Sequence, residues 1–384
     1  MKKIVLSLVL FSLICGGPFW AAVAPQTSLA DLYKTGKVKL KLELRITDED
    51  LPEEMFFESA MGVAGDQDGN IYVVDYQAQH IKKFDAKGKF LKLLGREGEG
   101  PGEFNGPFRI TFAKDRLVVY ELRGRRLNTM DTDGNYITNA LMNIGEGSVR
   151  GIRALPDGNI LVEKEKSYFW AEVRPQDCML FIFSPELESI TKIFEQQIVS
   201  NKYITKPIRT NIPQPFFADV CWAITPDGQI VIGSAETYDI SLYDPDKGKL
   251  FSFTHKYKPI KVTKEDKDAW FAGMTFTRGD ELFEGAQDYV IKNTSFPKNK
   301  PPFHDIKVDP EGNILVFTPT QDAVFDFTYF DAFDPKGNFI NRVEVVGDFN
   351  FQRNMPRLGR FFAAISTNKE SLYHISLYTI SEAK

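Results

Sequence analysis

A Pro/Asp-rich turn with a Gly, running straight into a short apolar strand, recurs along the chain and limits its fold more than any other feature. It stands at Asp66-Gln67-Asp68-Gly69-Asn70 before Ile71-Tyr72-Val73-Val74, and at Pro156-Asp157-Gly158-Asn159 before Ile160-Leu161-Val162. Further copies are Pro226-Asp227-Gly228-Gln229 before Ile230-Val231-Ile232, and Pro310-Glu311-Gly312-Asn313 before Ile314-Leu315-Val316. Weaker ones begin at Lys114-Asp115 and at Asn368-Lys369. A tight hairpin needs residues that tolerate positive φ, and Asp, Asn and Gly supply them between β-branched strands.

A second turn phrase comes after most copies, one hairpin further on. It reads Phe84-Asp85-Ala86-Lys87-Gly88, Met130-Asp131-Thr132-Asp133-Gly134, Tyr243-Asp244-Pro245-Asp246-Lys247-Gly248 and Phe333-Asp334-Pro335-Lys336-Gly337, with Ser184-Pro185-Glu186-Leu187 standing in for it in the third unit. Each unit therefore holds four strands. Four-stranded units at a spacing near about 45 residues are the pattern of β-propeller blades. Six can be counted, at residues 57–98, 105–145, 149–195, 216–258, 303–347 and 360–384. The expected fold is all-β: a six-bladed β-propeller. The last unit is short of strands, and Val38 to Ile46, which alternates apolar with charged residues, is available to complete it. Closing the ring with that strand hides two sheet edges that would otherwise template aggregation.

Gly95-Arg96-Glu97-Gly98-Glu99-Gly100-Pro101-Gly102-Glu103-Phe104 resembles the inter-blade loop of NHL-type six-bladed propellers, as does the phrase from Asp68 to Asp75. The chain is most similar to exported bacterial six-bladed propeller proteins. That resemblance implies the fold and leaves the activity open. The alternating glycines do not form a phosphate loop, because they lead into a strand-like run, with Pro101 and Pro107 in place of a helix. The Asp-x-Asp-Gly phrases at Asp66 and Asp131 lack the later Glu and the flanking helices of a calcium loop, so they read as turns.

Two insertions break the spacing. Gly158 to Gly228 is 70 positions and Gly228 to Gly312 is 84, against 46 from Gly69 to Asp115. The first, near 196–215, carries several prolines among Lys202, Lys206 and Arg209 and is expected to be an irregular basic loop. The second, near 259–302, has helix signals: Thr263 with Asp266 three positions on, then Trp270, Phe271 and Met274, and later Leu282, Phe283, Ala286, Tyr289 and Val290. Its apolar face is expected to pack on its own blades or to cover one mouth of the channel as a lid or docking surface.

At the N-terminus, Met1-Lys2-Lys3, an apolar run from Ile4 to Ile14 and Ala22-Val23-Ala24 come in the order of a secretory signal peptide. The run is about eleven residues, too short for the roughly twenty that a spanning helix needs. Residues 1–24 are thus read as a signal and 25–384 as one exported domain, periplasmic or extracellular. Cys15 raises a lipoprotein alternative, against which stands the bulky Ile14 before it. Of the remaining cysteines, Cys178 and Cys221 lie in strand-like runs and are read as buried thiols, with a disulfide as the alternative. A net charge of −5 without a dense basic run excludes a generic nucleic-acid binder. The domain is expected to be monomeric, with no membrane span.

The inner strand of each blade lines the channel of a propeller, and its first residues face one mouth. Counting back from each turn places Arg109, Arg150, Asp219, His304, Asp305 and Arg360 there. These six form the candidate site, suited to a small anionic or sugar-like ligand or to a protein, because the Arg fork pairs carboxylate or phosphate in a bidentate way. Only 4 His accompany 32 Phe, and His80, His255, His304 and His374 fall in unrelated strand contexts. The resulting reading is a non-catalytic binding propeller with no cofactor. Two alternatives stay open: a hydrolase, lactonase- or lyase-like enzyme using one divalent cation on Asp219, His304 and Asp305, and a structural module of an envelope assembly.

Overall fold

The repeated turns space the chain into six blades of mainly antiparallel strands, arranged as a β-propeller. The computed structural model describes residues 27–383, apart from 143–146, 168–172, 189, 205–209, 273–276, 279–280, 283–285, 322–326 and 348–354. The signal-like residues 1–24, Cys15 among them, lie outside the described residues, as do Lys206, Arg209, Met274 and Phe283 of the insertions. Blade 1 runs from its inner strand Ala60–Gly65 through Ile71–Asp75 and His80–Phe84 to the outer Phe90–Leu94. Blade 2 repeats this with Pro107–Ala113, Arg116–Glu121, Arg126–Asp131 and Tyr136–Leu141. The inner strands of blades 3, 4 and 5 are Ser148–Ala154, Val220–Ile224 and Asp305–Val308.

Turn chemistry explains why these boundaries fall where they do. Asp66 Oδ1 accepts from the backbone N–H of Asp68 at 3.0 Å and of Asn70 at 2.8 Å, while Gly69 takes φ +85°. Asp131 does the same with Asp133 and Asn135. The carboxylates that echo a calcium loop are thus occupied by their own turns.

Between each pair of neighbouring blades lies one apolar cluster, six in all, so blade n packs on blade n+1 and blade 6 on blade 1. Fully buried Phe84, Phe183, Phe303, Phe317, Phe330 and Phe333 fill four of the six. The glycine-rich loop serves the same end. Phe104 is wholly buried between blades 1 and 2, and a Cβ on Gly95 would stand 2.3 Å from its ring. Glu103 folds back to accept the Gly100 N–H at 2.9 Å, and a Cβ on Gly98 would collide with it. The glycines clear space for an aromatic plug and leave no cradle for phosphate.

The ring closes through its N-terminus. Lys37–Thr47 pairs antiparallel with Tyr373–Glu382, the strand after the inner Phe361–Thr367 of blade 6. A bulge at Glu43 breaks the even alternation. The closing strand also pairs in parallel with the outer strand of blade 5, Lys37 opposite Glu344 and Val38 opposite Val345, which joins blades 5 and 6 into one continuous sheet. Val38 anchors the core between blades 5 and 6, and Ile46 the core between blades 6 and 1. Before the strand, the short helix Leu29–Lys34 inserts Tyr33, whose hydroxyl donates to the buried Asp309 at 2.8 Å.

Both insertions leave the ring on the side opposite the Asp-Gly turns, where inner strands begin and outer strands end. The first is regular, not the irregular loop expected. Val173–Phe183 and Ile190–Ile204 continue as a long hairpin beyond blade 3, with Thr210–Pro213 as a fifth strand. β-branched residues along Ile190–Ile204 favour this extension over a coil. In the second, Thr263 caps the helix Lys264–Ala272: the Asp266 N–H donates to Thr263 Oγ1 at 3.2 Å and the Thr263 N–H to Asp266 Oδ2 at 2.9 Å. A second helix covers Ala286–Asn293, starting later than the apolar spacing implied because Leu282 belongs to a two-residue ladder. The insertions pack on each other. Phe216, just past the first, meets Trp270 and Phe296 of the second, and Ile212 packs with Val290. Buried Lys300 pairs with Asp266 at 2.8 Å and pins this unit to blade 5 through the Thr320 and Gln321 carbonyls.

Candidate functional site

The six inner strands enclose a central channel of about 1110 Å³, and every blade contributes to its wall. Blade 6 adds a strap: Arg357–Leu358 pairs with Phe361 and Phe362 and takes the innermost position of that sheet. In a chain of net charge −5, the channel wall carries among the described residues six basic side chains, Arg109, Lys114, Arg150, Arg153, Lys307 and Arg357, against two acidic ones, Glu163 and Asp305. Half-buried Phe108, Phe112, Trp222 and Tyr373 line it as well.

Among the described residues four of these cations lack a carboxylate partner within salt-bridge distance: the exposed Lys114 and the half-buried Arg109, Arg153 and Arg357. Arg109 bridges three blades through carbonyls: its Nε donates to Arg150 O at 3.1 Å and its Nη1 to Met61 O at 3.3 Å. Its guanidinium lies 3.9 Å over the Phe108 ring. Arg153 donates Nη1 to the Ile152 carbonyl at 2.9 Å. Arg357 donates to Gly359 O at 3.2 Å. Burial pulls all three below the usual Arg range, Arg153 to about 10 with the nearby Arg109 charge adding to the effect. Glu163 opposes the fall for Arg109 and Arg153, so its carboxylate lies in the field of both. Gly151 makes this approach feasible, since a Cβ there would sit 3.3 Å from Glu163 Oε2 and 3.4 Å from the Trp222 ring.

Of the expected site residues, Arg109, Arg150 and Asp305 do line the channel, whereas Asp219, His304 and Arg360 are not part of its wall. Arg150 is exposed and pairs with Glu165, which also accepts from Gln176. Asp305 pairs with Lys307 at 2.9 Å. His304 is buried with its ring edge-on to Phe327 at 5.0 Å. Asp219 turns its carboxylate back onto the Val220 N–H at 2.8 Å. Arg360 falls in the two-residue turn between strap and inner strand, exposed and stacked on Phe361 at 4.8 Å. Counting back from the turn misplaces it because the strap displaces Phe361–Thr367 from the innermost position. Asp219, His304 and Asp305 do not form a ligand set: among the described residues no three His, Cys, Asp or Glu converge to hold a metal.

Counting strand starts also missed Arg153, Lys307 and Arg357. Arg153 and Lys307 occupy the same register, one residue before the end of their inner strands, as the pairings Ala154 with Ile160 and Val308 with Ile314 fix. A register count from the turn would have found this pair. Nothing in the sequence marks a strap only two residues long. Elsewhere, Cys178 and Cys221 are both buried and no disulfide joins them. Among the described residues no helix is long and apolar enough to cross a membrane.

Residues 61–209 match the DUF5128 family, described as a six-bladed β-propeller. A member of the DUF4221 family from Bacteroides vulgatus superposes with a TM-score of 0.54 at 13% identity, over 91% of this chain and 99% of that one. At that identity the likeness is one of fold. A Bacteroides fragilis protein described as exported superposes at 0.49 with 10% identity, over 90% and 96% of the two chains. A gluconolactonase from Xanthomonas campestris gives 0.39 at 10% identity, over 84% and 88%. No curated protein matches the sequence.

Proposed function

We propose that this protein is an exported, non-catalytic binding propeller whose central channel takes a small anionic ligand. The observation that carries the reading is the charge of the wall: six cations against two acids, with Arg109, Arg153 and Arg357 unpaired by carboxylate, inside a protein that is negative as a whole. A guanidinium held away from bulk water with no carboxylate in salt-bridge range, only the weaker field of Glu163 or Asp309, is costly, and a carboxylate, sulfate or phosphate compensates it with paired hydrogen bonds. The half-buried aromatic rings suit an organic anion better than a bare inorganic one. Export rests on the order of Lys2-Lys3, the Ile4 to Ile14 run and Ala22-Val23-Ala24. The absence of any His from the described channel wall favours binding over acid–base turnover.

Isothermal titration of the purified protein with sulfate, phosphate, benzoate and glucuronate at low and high ionic strength tests the reading. Binding that weakens with salt, and falls at least about ten-fold in Arg153→Gln, supports it. Heat signals that are absent for every anion would refute it. Export has its own check: N-terminal sequencing after expression in a bacterial host should find a chain beginning after Ala24, and an uncleaved Met1 contradicts the signal.

A further inference from the structure

Six blades in sequential order put blade 2 across the channel from blade 5, and blade 3 across from blade 6. The cations are arranged on this geometry. Arg109 and Arg153 belong to the adjacent blades 2 and 3, and their charges act on each other. Arg357 belongs to the strap of blade 6, and Lys307 to the inner strand of blade 5 in the register of Arg153. Positive charge therefore stands on two opposed walls. The wall of blade 4 between them offers Trp222, and blade 2 and blade 6 offer Phe112 and Tyr373.

A single small anion satisfies one of these walls only. Seated on Arg109 and Arg153 it leaves Arg357 on the far side with no carboxylate in salt-bridge range, only the field of Asp309, and a second anion would enter against the repulsion of the first. One molecule with an anionic group at each end compensates both walls without that penalty, and ties the two binding events together at a high effective concentration. The channel volume of about 1110 Å³ exceeds what a lone oxyanion fills and lies just above the roughly 300–1,000 Å³ of sites for drug-sized ligands.

We infer that the channel ligand is a dianion of the dicarboxylate class with a ring-bearing body, one carboxylate on Arg109 and Arg153 and the other on Arg357. This rests on the anion-binding reading of the same channel and adds its valence and shape. Glu163 lies in the field of Arg109 and Arg153, so the first carboxylate binds on the side of those guanidinium groups that Glu163 leaves open. The spacing between the carboxylates then decides which dianions fit.

Rigid aromatic acids serve as rulers. Terephthalate, naphthalene dicarboxylate and biphenyl dicarboxylate are titrated into the full-length mature protein beside the matched monoacids benzoate, naphthoate and phenylbenzoate. One dicarboxylate should bind at least about ten-fold tighter than its monoacid, and Arg357→Gln should remove that preference, bringing the two to the same level. Arg153→Gln should weaken both. Circular dichroism and a melting curve establish that each variant is folded, and Arg357→Lys, which keeps the charge, should recover part of the dianion preference. Equal affinity for mono- and dianions, or a preference that survives Arg357→Gln, overturns the dianion inference and leaves the anion-binding reading standing. No binding of any acid, of either valence, refutes both.

Discussion

Replacing Ile46 by Ala probes the closure of the ring. Ile46 is 2% exposed in the core between blades 6 and 1, on the strand that links the N-terminus to Tyr373–Glu382. Truncating a fully buried Ile to Ala costs about 2–5 kcal/mol, the spread reflecting how far the site collapses. The unfolding entropy of globular proteins is about 2.1 cal/mol/K per residue, or roughly 0.7 kcal/mol/K for a ring of about 350 residues. The variant should therefore melt about 3–7 °C lower, provided the ring unfolds as one unit. Leu42 on the same strand is 41% exposed and makes the control: Leu42→Ala should move the transition by under about 1 °C. Differential scanning calorimetry reads both. If Ile46→Ala melts with Leu42→Ala, or shows an early transition for a detached strand and an unchanged main one, the N-terminal strand is not part of the cooperative ring.

Local geometry sets three further outcomes. Lys82 and Asp75 form a pair at 2.6 Å, 1% and 0% exposed, with Asp75 also accepting from the Glu58 and Ser59 N–H groups; Lys82→Met strands that carboxylate and should cost about 3 kcal/mol in urea unfolding, part of it recovered in the double variant with Asp75→Asn. Gly248 and Gly337 have nearly the same φ, +77° and +79°, but a Cβ at Gly248 meets nothing whereas one at Gly337 would stand 2.5 Å from the Phe253 ring. Gly248→Ala should cost only the backbone strain of about 1–2 kcal/mol and Gly337→Ala clearly more, so equal melting points would disprove the close approach. Backbone donors from Lys247 and Asp246 hold the Asp244 carboxyl below its usual value, and for Asp334 the Asn338 amide and backbone donors outweigh the opposing effect of burial. A carboxyl lowered in the folded state stabilises above its unfolded pKa of about 3.9 and loses that contribution as pH falls through the lowered value. The Asp244→Asn, Asp334→Asn variant should accordingly lose less stability than the wild type between about pH 5 and pH 2; an identical loss contradicts the assignment.

The parts legible from sequence were those set by local chemistry. Asp66 and Gly69 announce a turn whatever surrounds them, because the carboxylate and the positive φ act within five residues. The closing strand was legible from its alternation, although the bulge at Glu43 was not, since nothing local forces it. The capping pair of Thr263 and Asp266 formed as its spacing implied. The channel was harder to read. Side chains at inner-strand starts are only nominally at a mouth: His304 is drawn into the core beside Phe327, and Asp219 bonds its own neighbour. Arg153 needed a count from the turn and not from the strand start, whereas Arg357 lies on a two-residue strap inside blade 6 that no local signal marks. The fifth strand of blade 3 packs Ile212 against Val290, a contact between residues far apart in sequence that no local pattern announces.

The central claim is that the channel arginines hold an anion. Crystals of the protein soaked in selenate, and data collected at the selenium edge, place any bound oxyanion without reference to its affinity in solution. An anomalous peak is expected inside the channel, within hydrogen-bond reach of the Arg109 and Arg153 guanidinium groups, and it should be lost in Arg153→Gln. A channel without a peak, in crystals where selenate binds only at the outer surface, would contradict the claim.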